Sequence, residues 1–356
     1  MPTRSANSTT EPVRDLAAAG ESAFIDAVAS IVASAHAGRG SGGKGPRGLH
    51  VGIGDDAAVV DLGSPAVLST DAQVQGTHFE LDWLSAEALG RKAFLVAFSD
   101  LSAMGARARW ALLSLEAPAS MSMRRARALL RGFVAACREN DVVLVGGNVA
   151  AAPRLALTVT AVGEAGHSLT RAAARDGDDI HLVGNPGDAA AGLELLAAGG
   201  RSGKLVQAWR RPPCYLQLGR ALSRNAGVGA AIDLSDGLVL DLSRVASASG
   251  LGALLDTDRL PLSRALMAAA RGRGGLVNEV LDYALGGGED YLLLFTARSD
   301  RRSRNSIASL GRRHGVAISR VGSMDSSLKA GSVVDARGQA LEGGYQHFSA
   351  SRGARL

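Results

Sequence analysis

The chain is 356 residues long, more than one hydrophobic core usually holds, so its length predicts two domains. Apolar residues make up 46% and charged residues 21% of the sequence, values typical of a globular protein. The net charge of +5 comes from scattered basic residues, and aromatic residues make up only 4%, so the composition argues against nucleic acid as a partner.

The sequence indicates a reducing, cytoplasmic location. Its two cysteines, Cys137 and Cys214, lie far apart and without metal-ligand spacing, so neither a disulfide framework nor a zinc site is expected. Residues 1–20 are polar, predict a disordered lead, and contain no apolar stretch of signal-peptide length. No apolar run approaches a membrane span, so we expect no membrane partner.

Helical and extended patterns alternate from residue 21 onward. The periodicity of 21–35 predicts a helix, and the Gly-rich stretch 38–48 predicts a mobile loop. Short β-type runs then predict strands at 49–53, 66–70, 109–116, 141–146 and 155–163. Helical patterns separate them at 85–104 and 122–139.

The second half continues the alternation. Strands are predicted at 179–183, 252–256, 291–296 and 316–322, and helices at 187–198, 213–224, 237–249 and 300–314. The pattern predicts an α/β fold with α+β layers. Turn residues at 163–167 predict a boundary between an N-terminal domain of residues 21–165 and a C-terminal domain of residues 166–356.

Six acidic or Gly-rich turns follow strand patterns or lie on one helix face. They are 54–56 (GDD), 69–71 (STD), 99–100 (SD), 146–148 (GGN), 233–237 (DLSDG) and 287–291 (GGEDY). Phosphoryl transfer needs hard cations that bridge phosphate oxygens, and such cations prefer carboxylate, hydroxyl and carbonyl ligands. Glycine beside aspartate lets backbone N–H groups approach a phosphate closely. Together the turns indicate phosphoryl chemistry.

Most of these turns have a simpler explanation when taken singly. The pair Asp55 and Asp56 is compatible with an ordinary turn, and Ser235 or Asp236 could cap the following helix. His78 alone is more often a structural histidine. Asp100 differs, because a carboxylate inside the apolar run AFLVAFSDLSAM is expensive to bury without a cation or partner.

One Gly-rich segment imitates a nucleotide-binding loop. Residues 38–45 (GRGSGGKG) nearly match G-x4-G-K-[ST]. Gly45 replaces the hydroxyl residue that should hold magnesium, and no strand pattern precedes the loop. A P-loop fold is therefore not expected.

Taken in order, the motifs resemble those of the thiamine-monophosphate kinase family. The resemblance runs from about Glu21 to Phe348 through GIGDDAAV, STDAQVQGTHF, GRKAFLVAFSDLSAMGA, VGGN, LTRAAARDGD, VGNPGDAAAGL, RRPPCYLQLGRAL, AIDLSDGL, GGGEDYLLLF and GGYQHF. That family shares an ATP-binding superfamily with aminoimidazole ribonucleotide synthetase, selenophosphate synthetase and a hydrogenase-maturation protein.

The resemblance implies a two-domain fold of the aminoimidazole ribonucleotide synthetase type. An N-terminal mixed-sheet domain would form a homodimer, and a C-terminal α/β domain would follow it. ATP would be the co-substrate near the domain and subunit junction, with several Mg²⁺ ions. The implied reaction is direct in-line transfer of the γ-phosphoryl group to thiamine monophosphate, the last step in making thiamine diphosphate.

Roles for individual residues follow from the same resemblance. Magnesium would be bound by Asp56, Ser69, Thr70, Asp71, Asp100, Asp233 and Asp236, and catalysis would depend most on Asp56, Asp71, Asp100 and Asp236. The nucleotide would contact Gly147, Asn148, Arg171 and Ser235. Thiamine monophosphate would contact His78, Glu289 and Tyr345.

The sequence departs from the family pattern at one site. The family's Gly-Gly-Asp-Thr-Thr-Arg is replaced by GGNVAA at 146–151, which puts Asn148 where a magnesium-binding aspartate is expected. An asparagine carbonyl can still bind magnesium, but it lacks the negative charge, so we expect weaker metal binding.

Two alternatives stay open on the sequence alone. One is another enzyme of the superfamily. Selenophosphate synthetase would need a cysteine near the Gly-rich loop, and the hydrogenase-maturation protein would need a C-terminal cysteine, whereas aminoimidazole ribonucleotide synthetase is harder to exclude. The other alternative, suggested by Asn148, is a catalytically weak sensor of thiamine phosphates or nucleotide.

Overall fold

The computed structural model describes residues 15–19, 21–36, 46–53, 57–62, 65–272 and 277–345. The predicted lead 1–20, most of the predicted loop 38–48, and residues 54–56 lie largely or wholly outside these ranges. Among the described helices, none is both long and apolar enough to cross a bilayer.

Within the described ranges, the first half contains five helices and six strands. The helices are α1 (Leu16–Ala19), α2 (Glu21–His36), α3 (Ala86–Ala97), α4 (Ser99–Ala103) and α5 (Met123–Glu139). The strands are β1 (Leu49–Val51), β2 (Val59–Val60), β3 (Ala66–Val74), β4 (Arg107–Ala117), β5 (Val143–Ala151) and β6 (Ala156–Glu164).

The second half contains seven α-helices, a short 3-10 helix (Thr257–Arg259) and six strands within the described ranges. The helices are α6 (Asp188–Ala197), α7 (Lys204–Arg210), α8 (Leu216–Ser223), α9 (Leu238–Ala248), α10 (Arg264–Gly272), α11 (Val277–Gly286) and α12 (Arg301–His314). The strands are β7 (Asp179–Val183), β8 (Val228–Leu234), β9 (Gly252–Leu255), β10 (Leu292–Ala297), β11 (Ile318–Asp325) and β12 (Val333–Val334).

A four-stranded mixed sheet organises the first half, in the order β3-β6-β4-β5. β4 and β5 run parallel, and the other pairs are antiparallel. Helix α3 packs on β3 and β6, and α5 packs on β5, so one face of the sheet is covered. On the other face Leu68 is 65% exposed and Leu112 is 36% exposed. That face is unusual in leaving large apolar side chains in contact with solvent.

The crossing of α3 and α5 is close enough to require glycine on both helices. A Cβ atom at Gly90 would lie 1.9 Å from the carbonyl oxygen of Leu129, and one at Gly132 would lie 1.9 Å from that of Glu87. Backbone contacts of this kind fix how closely α3 and α5 approach each other.

A six-stranded sheet organises the second half, in the order β12-β9-β11-β7-β10-β8. All its neighbours are antiparallel except β12 and β9. Helix α9 covers one face, while α4 from the first half packs against both α8 and β8. α4 therefore connects the two sheets. The fold class is a mixed α/β arrangement, as the sequence predicts.

Several elements were not predicted from the sequence, namely α1, β2, α7, α10, α11 and β12. Two further differences have a clear physical reason. The single helix predicted at 85–104 is two helices, since α3 ends before Phe98, which is fully buried and stacks on Phe94 with ring centroids 4.2 Å apart. Strand β8 was not predicted, because its sequence VGAAIDL is rich in small residues that are poor strand formers.

Candidate active site

Three carboxylates from different elements come together between the two sheets. Asp71 lies on β3, Asp100 in the first turn of α4, and Asp233 near the end of β8. The Ser69 hydroxyl donates a 2.5 Å hydrogen bond to Asp100 Oδ2, which ties α4 to β3. The helix break before α4 thus places Asp100 beside the strand that contains Asp71.

The pKa values of Asp71 and Asp233 are raised by burial and by neighbouring negative charge. Burial first, and then the charges of Asp100 and Glu289, raise the pKa of Asp71 to about 6. Burial also raises the pKa of Asp233 to about 7, with Asp100 as the next cause and a hydrogen bond from Ser99 partly opposing both. A bound cation would relieve this repulsion.

The turn before β10 places Glu289, Asp290 and Tyr291 beside this group. Glu289 and Tyr291 both have positive φ, 69° and 50°, which is uncommon for residues other than glycine. The Glu289 N–H donates to Ser235 O at 2.8 Å, and the Tyr291 N–H donates to Leu234 O at 2.7 Å. These bonds hold the turn against the end of β8.

Asp290 points away from the cluster and serves a structural purpose. Its carboxylate accepts hydrogen bonds from the Gly187 N–H at 2.6 Å and the Ala189 N–H at 3.0 Å, at the start of α6. Burial nevertheless raises its pKa to about 7.

Lys92 brings a positive charge to the cluster, and sequence reasoning did not assign it a role. Its side chain is completely buried, and Nζ lies 2.7 Å from Glu289 Oε2 and 3.0 Å from Trp209 O. Burial lowers its pKa, while Glu289 and Asp71 oppose that shift. A lysine within the apolar helix sequence GRKAFLVAF was the signal that could have identified it.

The DLSDG turn lies at the start of α9. Asp236 is ion-paired to Arg244, with 2.7 Å between Oδ2 and Nη1, and Arg244 also binds Asp241 at 2.5 Å. Asp241 is fully buried and accepts the Asp236 and Gly237 N–H groups. Neither Asp241 nor Arg244 was identified from sequence. In this arrangement an arginine partly neutralises Asp236.

Tyr345 joins the same turn through its backbone. Its N–H donates to Asp236 O at 2.8 Å, and its ring is 50% exposed. The C-terminal segment predicted to contact the substrate therefore lies beside the turn that contains Ser235 and Asp236.

The other residues predicted from the sequence make contacts outside the carboxylate cluster. Asn148 is exposed on β5, where its Nδ2 lies 3.5 Å from Ser114 Oγ on the neighbouring β4. Thr70 Oγ1 donates to Val159 O at 3.2 Å, and His78 Nδ1 accepts the Val74 N–H at 3.1 Å.

Gly147 and Arg171 lie in different parts of the fold. Gly147 is opposite Leu113 across β4 and β5, and a Cβ there would lie 1.8 Å from Leu113 O. The Arg171 carbonyl accepts a hydrogen bond from the Ser249 hydroxyl at 2.8 Å. Ser249 follows the C-terminal end of α9, whereas Asp236 lies at the N-terminal end of the same helix. Asp56 falls outside the described residues.

The donor set suits a hard cation in its chemistry. Asp71, Asp100, Asp233 and the Ser69 hydroxyl supply the oxygen ligands that Mg²⁺ prefers, and two of the carboxyls have raised pKa values that a cation would lower. Within the described part of the chain, however, no three His, Cys, Asp or Glu side chains already converge on one point. Binding of a metal would thus require additional ligands or small side-chain movements.

Comparison with known proteins identifies the family. Residues 54–165 match the family described as AIR synthase related protein, N-terminal domain. The chain is 36% identical over 313 residues to thiamine-monophosphate kinase of Salmonella typhimurium, covering 85% of this chain and 93% of that protein.

Solved structures agree in fold. The crystal structure of thiamine-monophosphate kinase from Stenotrophomonas maltophilia superposes with a TM-score of 0.77 at 33% identity, covering 88% of this chain and 97% of that one. The structure of AaThiL complexed with AMPPCP and TMP has a TM-score of 0.69 at 30% identity, covering 80% and 87%. The chain therefore belongs to the thiamine-monophosphate kinase family.

Proposed function

We propose that this protein transfers the γ-phosphoryl group of ATP to thiamine monophosphate and releases thiamine diphosphate and ADP. A phosphate oxygen of thiamine monophosphate forms the new P–O bond, and the bond between the γ-phosphorus and the β,γ-bridging oxygen breaks. A phosphate monoester has a second pKa near 6, so its oxygen is already anionic at neutral pH and attacks without a protein base. The protein's task is therefore positioning and charge compensation.

The observation that carries this proposal is the meeting of Asp71, Asp100 and Asp233 between the two sheets. Crowded carboxylates would repel ATP unless cations were bound between them. Burial, and after it the neighbouring carboxylates, raises the pKa of both Asp71 and Asp233, so keeping these groups ionised has a cost that a bound cation would offset. We place the reaction in the cleft between residues 21–165 and residues 166–356.

We propose that several Mg²⁺ ions bind at this site. When bound, they would neutralise charge on the phosphate oxygens and on the leaving ADP. Asp71, Asp100 and Asp233 would hold them, helped by other oxygen donors that the family pattern supplies, namely Asp56, Ser69, Thr70, Asn148 and Asp236. Arg244 would have to share Asp236 with such an ion.

The substrates would bind on either side of the carboxylates. We assign Gly147, Asn148, Arg171 and Ser235 to the nucleotide. His78, Glu289 and Tyr345 are assigned to thiamine monophosphate, whose thiazolium cation suits a carboxylate and an exposed aromatic ring. Glu289 and Tyr345 both reach the turn at 235–236, which supports a common pocket for this substrate.

We also propose a homodimer in the cytoplasm. The open face of the four-stranded sheet exposes Leu68 and Leu112, and a second copy of the chain would cover these side chains.

Asn148 supports a second candidate, a protein that binds thiamine phosphates or nucleotide with little turnover. Its side chain lies near Ser114 and brings no charge to the site. Tight binding of both ligands without product would favour this candidate.

The direct test is to incubate the purified protein with ATP, magnesium and thiamine monophosphate and to separate the thiamine species chromatographically. Free thiamine serves as a parallel substrate, Asp100→Asn as the variant expected to be inactive, and Arg91→Met as a matched active control. Arg91 pairs with Glu139 at 2.6 Å on the surface, away from the cluster. Thiamine diphosphate formed from the monophosphate alone would support the proposal, and none at high magnesium would refute it.

A further inference from the structure

Lys92 is held in a buried position by three contacts to two residues, Glu289 and Trp209. Its side chain has no exposed area, and its ammonium group donates to Glu289 Oε2 at 2.7 Å and to Trp209 O at 3.0 Å. It also lies 3.5 Å from the centre of the Trp209 ring. These contacts join α3 on the first sheet to α7 and to the turn before β10 on the second.

Glu289 is fixed at both carboxylate oxygens. Lys92 binds Oε2, and the Tyr291 hydroxyl donates to Oε1 at 3.3 Å. The Glu289 backbone is held at φ 69° by its hydrogen bond to Ser235 O. The Glu289 side chain is still 21% exposed, so it is oriented by the protein while part of it stays accessible.

A purely structural role explains this arrangement poorly. Burying an ion pair costs desolvation of both charges, and well-packed apolar residues often stabilise a protein as well or better. The pair joins residues 197 positions apart in sequence. We therefore expect this ion pair to fix the orientation of the Glu289 side chain more than it stabilises the fold.

We propose that Lys92 is a positioning residue that orients the Glu289 carboxylate for thiamine monophosphate. This inference rests on the proposed function, because it takes Glu289 as a contact for that substrate. Lys92 acts through Glu289 and, being fully buried, does not touch the substrate itself. Its loss should therefore affect thiamine monophosphate and leave ATP binding largely unchanged.

The test compares Lys92→Met, Glu289→Gln and the double variant with Arg91→Met. The control removes an ion-paired basic side chain at the adjacent position of the same helix. We expect Lys92→Met to raise KM for thiamine monophosphate about 10- to 100-fold and to leave KM for ATP within about twofold. The double variant should be no worse than Glu289→Gln alone, because both changes remove one interaction.

Three results would overturn the inference. They are an unchanged KM for thiamine monophosphate, a parallel rise in both KM values together with a lower Tm, and additive effects in the double variant. If Lys92→Met does not fold, Lys92→Gln, which keeps a polar donor on a shorter side chain and removes the charge, takes its place.

Calorimetric binding of thiamine monophosphate, in the presence of a non-hydrolysable ATP analogue, separates this inference from the proposed function. If the wild-type protein binds thiamine monophosphate but does not phosphorylate it, the proposed kinase activity is refuted. The same binding assay on Lys92→Met would still decide the role of Lys92. A wild-type protein that does not bind thiamine monophosphate would refute both.

Discussion

Replacing Asp233 with asparagine should stabilise the protein and abolish its activity. Asp233 is 6% exposed near the end of β8, and its pKa is raised from 3.8 to about 7 by burial and by the charge of Asp100. That difference corresponds to about 4 kcal/mol in favour of the neutral carboxyl in the folded state. Asparagine has the shape of the protonated carboxyl and is never charged, so it avoids this cost.

The sign of the pH dependence follows from the raised pKa. Below pH 3.8 the carboxyl is protonated in both the folded and the unfolded chain, so wild type and Asp233→Asn should be equally stable. Between pH 3.8 and about 7 the unfolded carboxyl ionises first, and wild type loses stability relative to the variant. Above pH 7 the difference should reach its maximum, at most about 4 kcal/mol.

Urea denaturation at pH 5 and at pH 8, without magnesium, measures this difference. Asp236→Asn is the control, since Asp236 is ion-paired to Arg244 and its loss should bring no such gain. Added magnesium should raise the Tm of wild type more than that of Asp233→Asn. Equal stabilities at pH 8, or a difference that does not change with pH, would refute the reasoning about crowded charge.

Three further predictions concern other parts of the molecule. Asn148→Asp should lower the magnesium concentration that gives half-maximal activity, because it adds a negative charge on β5; an unchanged magnesium titration would contradict it. Gly90→Ala should destabilise the protein by about 1–3 kcal/mol in chemical denaturation, because its Cβ would lie 1.9 Å from Leu129 O. Gly166→Ala, which has open space around it, is the control, and equal effects would argue against the close helix crossing. Leu68→Glu should shift the proposed homodimer toward monomer in analytical ultracentrifugation, since Leu68 is 65% exposed on the open sheet face, and a dimer that persists would exclude that face.

Local sequence patterns were enough to predict most elements of the fold. Strand 179–183 has the predicted bounds, and α5 and α12 begin within one residue of the prediction. Such elements are encoded by periodicity and by caps, for example the Ser122 side chain that accepts the Arg125 N–H at the start of α5. The small-residue strand β8 and the break at Phe98 were not predicted, because packing decides them and not local preference.

The sequence also indicated which residues to examine, since acidic turns next to glycine are local features. Asp71, Asp100 and Asp233 could be named individually, but their mutual distance and their raised pKa values could not. Those properties depend on two sheets meeting through α4.

Only the tertiary structure revealed the partners of these residues. Lys92 and Glu289 are separated by 197 positions, and no local pattern links them. Arg244 and Asp241 appear as ordinary helix residues in the sequence, yet they contact the turn that contains Asp236. The sequence by itself determines which functional groups are present and which of them are neighbours along the chain. The direction, burial and charge of each group are set by contacts between distant segments, and these exist only in the folded chain.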